Sequence, residues 1–173
     1  MAVSTDRSIF YDQKELRNIA RVLRKMDDIA VKEVKEKVGE LAERELQAIR
    51  QAAGSRGKVA QRVADGGKVK KSSVLGEITF GNEKQKFSGG ATTQFNNRKD
   101  TKGNRLGLGA GVEFGSKLYA QFPAWSGGMP KGAGSKGYFI YPTIRALQPE
   151  IIKEFEEIIL SIRKEWASGS IEQ

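Results

Sequence analysis

Glycine is distributed very unevenly along this chain, and this limits the folds that the chain can adopt. Eighteen of the 20 glycines lie between Gly54 and Gly137, so both flanking segments are almost free of glycine. Glycine destabilises helix interiors but supplies the positive φ angles that turns require. The flanks therefore suit helices, and the centre suits loops and short strands. Since 173 residues correspond to about one domain, we expect a single domain over 1–173.

The first flank carries the pattern of an amphipathic helix. Apolar residues recur at three- and four-residue steps from Leu16 to Ile49, with charged residues between them. This pattern predicts a helical segment over 12–53. Asp27-Asp28 is a candidate cap or kink, which leaves open whether there is one helix or two. Gly54 is a helix stop signal.

The remaining elements are predicted from shorter patterns. Val59–Ala64 suggests one helical turn, and strands are predicted at Val74–Phe80, Gly111–Gly115 and Tyr138–Tyr141. A C-terminal amphipathic helix is predicted over 149–168, with Pro149 at its first position. Its apolar face consists of Ile151, Ile152, Phe155, Ile158, Ile159, Ile162 and Trp166. The order predicts an α+β fold in which the C-terminal helix packs on a small, mostly antiparallel sheet.

Positive charge is concentrated in the central segment. Residues 54–105 carry 12 basic and 4 acidic residues, although the whole chain has a net charge of only +9. We predict a long, flexible basic loop over 81–110, which overlaps the end of this segment. Its cations are candidates for contact with a partner or with the lumen of an assembly: Lys84, Lys86, Arg98, Lys99, Lys102 and Arg105. Such a segment can attract phosphate by counterion release, or it can simply remain solvated.

The absence of histidine and cysteine excludes several kinds of chemistry. A Ser-His-Asp triad, a histidine zinc site and a cysteine nucleophile are impossible without these residues. The glycine run Gly107–Gly111 is followed by a predicted strand rather than a helix, so it does not fit a dinucleotide-binding fingerprint. We therefore expect no enzymatic activity, cofactor or metal. We also expect no membrane association, since no apolar run approaches the roughly 18–20 residues of a spanning helix.

Aromatic residues are concentrated towards the end of the central segment. Phe114, Phe122, Trp125, Tyr138 and Tyr141 form either a corner of the core beneath the last helix or a subunit interface. Both interpretations remain open at this stage. Within the same region Glu113 and Arg145 are candidates for an ion pair, because an arginine fork would fix the geometry between the sheet and the last helix, or between neighbouring subunits.

These segments resemble a known family. The residues concerned are Gly111–Gly115, Phe122-Pro123-Ala124-Trp125, Gly137–Pro142, Arg145-Ala146 and Pro149. The pattern resembles the neck and minor-tail component family of long-tailed bacteriophages, often described as tail-completion proteins. The resemblance is moderately specific over Gly109–Trp166 and weak over the first half of the chain.

The resemblance implies a non-enzymatic structural protein of the virion. Such proteins are similar in fold to tail terminators and assemble as rings, commonly six-fold, where the head connector meets the tail tube. The expected partners are further copies of the chain, the head connector or stopper, the tail terminator and the tail-tube protein. DNA would pass through the lumen without sequence-specific contact. Assembly would take place in the cytoplasm of the bacterial host.

Two alternatives accompany this interpretation. Within the same class, the chain could instead be a tail terminator ring that caps the tube. From another class, a basic chain without catalytic residues could be a nonspecific DNA-binding protein. Steep loss of DNA affinity with rising salt would indicate the second alternative.

Overall fold

In the part of the chain that the structure describes, the named elements are four helices and one two-stranded sheet. This computed structural model describes residues 21, 28–71, 76–81, 87, 91–95, 107–117, 119–126 and 136–168. In chain order the elements are α1 (Asp28–Gly54), α2 (Lys58–Asp65), β1 (Lys68–Val69), β2 (Ile78–Thr79), α3 (Gly109–Phe114) and α4 (Ile140–Ala167). The predicted α+β class is confirmed, with helix as the dominant component.

Helix α1 follows the apolar periodicity of the sequence. Its buried residues recur at steps of one, three and four: Ala30, Val34, Val38, Leu41, Ala42, Leu46, Ile49 and Ala53. The predicted stop at Gly54 is confirmed, and the helix continues through Gly39. The predicted start at residue 12 and Asp27 of the proposed kink lie outside the described residues.

Helix α4 packs against α1. Phe155 and Ile162 of α4 join Ala30, Val34 and Val38 of α1 in one apolar cluster. Near the start of α1, the negative charge of Glu165 late in α4 helps to raise the pKa of Lys37. Further along α1, Arg44 forms an ion pair with Glu154, which lies earlier in α4. The two helices are therefore antiparallel. We predicted that the last helix packs on the sheet; among the described residues it packs mainly on α1.

Helix α2 lies against the C-terminal end of α1, and the small sheet lies against the middle of α1. The predicted turn at Val59–Ala64 is confirmed as α2, whose Ala60 and Val63 pack in a second cluster with Ile49. Strands β1 and β2 are antiparallel, with Lys68 opposite Thr79 and Val69 opposite Ile78. Strand β2 is the part of the predicted Val74–Phe80 strand that the structure contains, and residues 72–75 lie outside the described part.

The predicted strand at Gly111–Gly115 is wrong, because these residues belong to helix α3 and its end. Val112 N–H donates to the Leu108 carbonyl and Gly115 N–H to the Gly111 carbonyl, both at helical spacing. Alternation of Val112 and Phe114 suggested a strand, but both side chains are also buried in the helix. In so short a segment, periodicity does not separate the two conformations.

The predicted strand at Tyr138–Tyr141 is also wrong, since α4 begins at Ile140. Pro149 consequently lies inside a 28-residue helix rather than at its start. An internal proline removes one helical hydrogen bond and costs about 3 kcal/mol. The helix nevertheless continues on both sides of Pro149, because Ile140 before it and Phe155 after it are both buried in the core.

Candidate functional site

The carboxyl group of Glu113 fixes the start of α4. Its Oε2 accepts hydrogen bonds from the backbone N–H groups of Phe139 (3.1 Å) and Ile140 (3.0 Å), and its Oε1 accepts one from Tyr141 (3.0 Å). The first N–H groups of a helix have no partner within the helix, so a distant side chain here satisfies them. The predicted ion pair with Arg145 is wrong: Arg145 instead donates to the Lys136 carbonyl.

Glu113 is completely buried, and this affects its acidity. Burial raises the pKa of its carboxyl group, whereas the backbone hydrogen bonds act in the opposite direction, and the net shift is upward. The pKa of the Tyr141 hydroxyl is also raised, by burial and by the negative charge of Glu113. The Glu113 carboxyl therefore supports structure: its oxygens are occupied by backbone donors rather than exposed to a substrate.

Two glycines allow this close packing. Gly137 has a φ of 57°, and a Cβ atom at this position would collide with Glu113 Oε1. Gly115 has a φ of 78°, and a Cβ atom there would collide with the backbone carbonyl of Ala124. Both positions combine a left-handed backbone with lack of space, so both require glycine.

The predicted aromatic residues largely come together around Glu113. Phe114 is buried, and its ring lies 5.3 Å from that of Tyr141 between centroids. The Tyr138 hydroxyl donates to the Ala124 carbonyl at 2.6 Å. The guanidinium of Arg56 lies 5.2 Å from the centre of the Tyr138 ring. These contacts make the inner part of the set a corner of the core.

The outer part of the set projects to solvent on the segment that follows α3. We call its described residues, 116–117 and 119–126, the aromatic loop. Trp125 is 43% exposed and Tyr119 is 44% exposed, with the Tyr119 ring edge-on to half-buried Phe122. Lys117, on the same loop, is exposed as well. The corner therefore presents aromatic and cationic groups on a base that is tied by backbone hydrogen bonds.

A second feature is an apolar groove of about 600 Å³ between α1, α4 and β2. Its walls include Leu41, Ala42, Ile144, Ile151, Ile152 and Phe155. The Glu45 carboxyl also lines it, and desolvation alone raises the pKa of that group to about 7. Arg44, the residue before Glu45, is bound instead to Glu154 at the edge of the two helices.

Sequence reasoning missed Glu45 and Tyr119. A signal for Glu45 was present, because it lies four residues from both Leu41 and Ile49 and so occupies a position in the apolar stripe of α1. Tyr119 had no comparable signal, since its exposure depends on the turns of the aromatic loop. The predicted basic contact residues Lys84, Lys86, Arg98, Lys99, Lys102 and Arg105 lie outside the described residues.

Comparison with family models, with curated proteins and with solved structures finds no match to this chain. Among the helices described here, none is long and apolar enough to cross a membrane.

Proposed function

We propose that this chain is a structural subunit of the head–tail joining region of a long-tailed bacteriophage, acting as a tail-completion or neck protein. The supporting observation is that the separate pieces of the family-like sequence pattern contact one another. Glu113 binds the start of α4, Gly137 makes room for Glu113, and Gly115 lies against the Pro123-Ala124 backbone. These contacts show that the residues of the pattern form one packed unit, as a structural subunit requires.

The surface of the corner supports the same proposal. Exposed Trp and Tyr side chains on a fixed backbone are typical of the centre of protein interfaces, because they bury large areas with little loss of side-chain freedom. Trp125 and Tyr119 meet this description. A ring of identical subunits needs two different complementary surfaces on each copy. We propose the aromatic loop and the apolar groove as these two surfaces.

The test is to locate the chain in virus particles. A peptide-tagged copy is expressed in the bacterial host during particle production, and purified particles are imaged by electron microscopy with a label against the tag. Label at the junction of head and tail is expected. Separate heads and tails are expected when the gene is inactivated by an early stop codon. Complete particles without the chain, or label elsewhere, would contradict the proposal.

A tail terminator ring is the alternative within the same class, and the same images distinguish it. A terminator caps the tail tube and therefore remains on tails that have not joined a head. Labelled free tails would therefore favour the terminator.

A further inference from the structure

The apolar groove exposes groups that a folded chain normally covers. Ile144, Ile151 and Ile152 of α4 are half-buried and line an open volume of about 600 Å³ together with Leu41 and Ala42 of α1. Exposed apolar surface of this kind, bordered by polar residues, marks interaction sites in soluble proteins.

Glu45 gives the groove a charge preference. Its carboxyl group makes no hydrogen bond or ion pair among the described contacts, in contrast to neighbouring Arg44. The other ionisable groups of the groove are Glu77 of β2, which pairs with Lys70 at 3.0 Å, and Tyr141 of α4. The groove thus offers an unpaired acid among apolar side chains. Its best complement is an apolar or aromatic surface that carries a cation.

The aromatic loop has this complementary character. Among the described residues five large apolar or aromatic side chains are exposed, and Tyr119 and Trp125 on this loop are two of them. Lys117 is exposed on the same loop and has no described ion pair. The loop is also held in shape, since Ser116 N–H donates to the Pro123 carbonyl at 2.9 Å and Ser126 N–H to the Phe114 carbonyl at 2.8 Å. Little freedom would be lost when it binds.

We propose that the apolar groove of one copy of the chain is the docking site for the aromatic loop of a second copy, with Lys117 of the second copy meeting Glu45 of the first. This inference rests on the proposed function, for which it names the contact between subunits. The contact is heterologous, because the two surfaces differ and each copy retains one of each.

The contact between loop and groove is too small to be a complete subunit interface. An aromatic side chain buries about 150–250 Å² when covered, so Tyr119 and Trp125 together contribute less than the roughly 800 Å² per partner of a standard interface. The docked loop is thus the central anchor of a larger interface, and loss of this anchor should weaken association strongly.

The first test uses crosslinking and exploits the absence of cysteine from the chain. Gln121→Cys places a thiol on the aromatic loop, and Gln148→Cys places one on the groove wall. The two single variants are mixed and treated with a short bismaleimide. The proposal expects a crosslinked dimer in the mixture and little in either variant alone. Strong crosslinking within one variant, or none in a mixture that self-associates, would overturn it.

The second test reverses charges. Glu45→Lys and Lys117→Glu should each raise the dissociation constant of self-association about tenfold or more in sedimentation velocity, and the double variant should recover most of the affinity. Glu43→Lys and Lys164→Glu are matched controls, since they make the same charge changes at exposed positions outside the loop and groove lining. Circular dichroism confirms that every variant is folded. Equal effects of test and control variants, or no recovery in the double variant, would overturn the docking contact.

Failure of this inference is distinguishable from failure of the proposed function. If the chain self-associates but neither crosslinking nor charge reversal involves the loop and groove, the docking contact is wrong and the structural role stands. If the docking contact is found but the chain is absent from virus particles, the proposed function is wrong. A chain that remains monomeric up to millimolar concentration overturns the docking contact.

Discussion

Glu113 joins two parts of the chain that are 26 residues or more apart in sequence. Its carboxyl oxygens accept hydrogen bonds from the backbone N–H groups of Phe139, Ile140 and Tyr141, and the group is completely buried. A carboxyl group is well suited to this position, since it accepts at both oxygens and lies at the positive end of the helix dipole. An amide of the same shape would place its own donors against the donors of the backbone.

We therefore expect Glu113→Gln to lower the free energy of unfolding by about 2 kcal/mol, the usual scale for losing hydrogen bonds to a charged group in a buried place. Urea unfolding followed by circular dichroism measures the change. Glu156→Gln is the control, because Glu156 is an exposed residue of α4 and its substitution should have an effect within about 0.5 kcal/mol. Equal stability of the Glu113→Gln variant and the unchanged chain would show that the three hydrogen bonds do not hold the start of α4.

At the scale of residues, the sequence indicated which side chains lie around Glu113 better than it indicated which groups Glu113 binds. Glu113, Phe114, Tyr138 and Tyr141 belong to one set that the sequence offers for a core corner or a subunit interface, and the structure brings these four residues together. The partner assigned to Glu113 was wrong, because an ion pair with Arg145 was inferred from side-chain charge alone. Backbone N–H groups at a helix start are equally good partners for a carboxyl group, but they have no signal in the sequence until the helix boundary is known.

At the scale of elements, long amphipathic patterns were predicted well and short ones were not. Helix α1 extends over many turns, so its apolar stripe accumulated enough positions to indicate a helix and its end. Helix α3 spans 6 residues, too few for a period of 3.6 to be distinguished from alternation. The start of α4 was placed too late because Pro149 is common at helix starts, whereas tertiary packing here carries the helix past it.

The packing of α4 on α1 gives a prediction at this scale. Ile162 is completely buried between the two helices, whereas Leu160, two residues earlier, is 62% exposed. Truncation of a buried isoleucine removes its apolar contacts and leaves a cavity, so Ile162→Ala should lower the free energy of unfolding by about 2–5 kcal/mol. Leu160→Ala should change it by less than about 0.5 kcal/mol.

Both variants are compared by urea unfolding with the same probe. A small effect of Ile162→Ala would mean that α4 is not anchored on α1 through this residue. A large effect of Leu160→Ala would show instead that the exposed side chain is covered in solution, for example by another copy of the chain.

At the scale of the whole molecule, the basic segment favours a DNA partner, whereas the apolar groove and the aromatic loop favour a protein partner. The excess of basic residues lies in 54–105, whereas the groove and the aromatic corner are formed mainly by α1, α4 and the aromatic loop. A structural subunit through which DNA passes requires weak contact with phosphate. A DNA-binding protein requires strong contact that depends steeply on salt.

We expect the purified chain to bind free duplex DNA only weakly at physiological salt, with a dissociation constant of about 10⁻⁴ M or weaker, at the lower end of nonspecific binding. Fluorescence anisotropy of a labelled duplex, titrated from low to physiological salt, measures this. Binding at micromolar or lower concentration, with a slope that corresponds to several released counterions, would favour the nonspecific DNA-binding alternative. The resemblance to phage neck proteins is tested separately, by the location of the chain in particles.

The hydrogen bonds of Glu113 have a consequence for chain cleavage. They connect the segment before residue 115 with the segment after residue 136, and the Tyr138 hydroxyl adds a bond to the Ala124 carbonyl across the same gap. If a protease cut the backbone once between residues 127 and 135, the two fragments would still share these bonds and the α1–α4 contact. The nicked protein should therefore elute as an intact species under native conditions and separate only after denaturation.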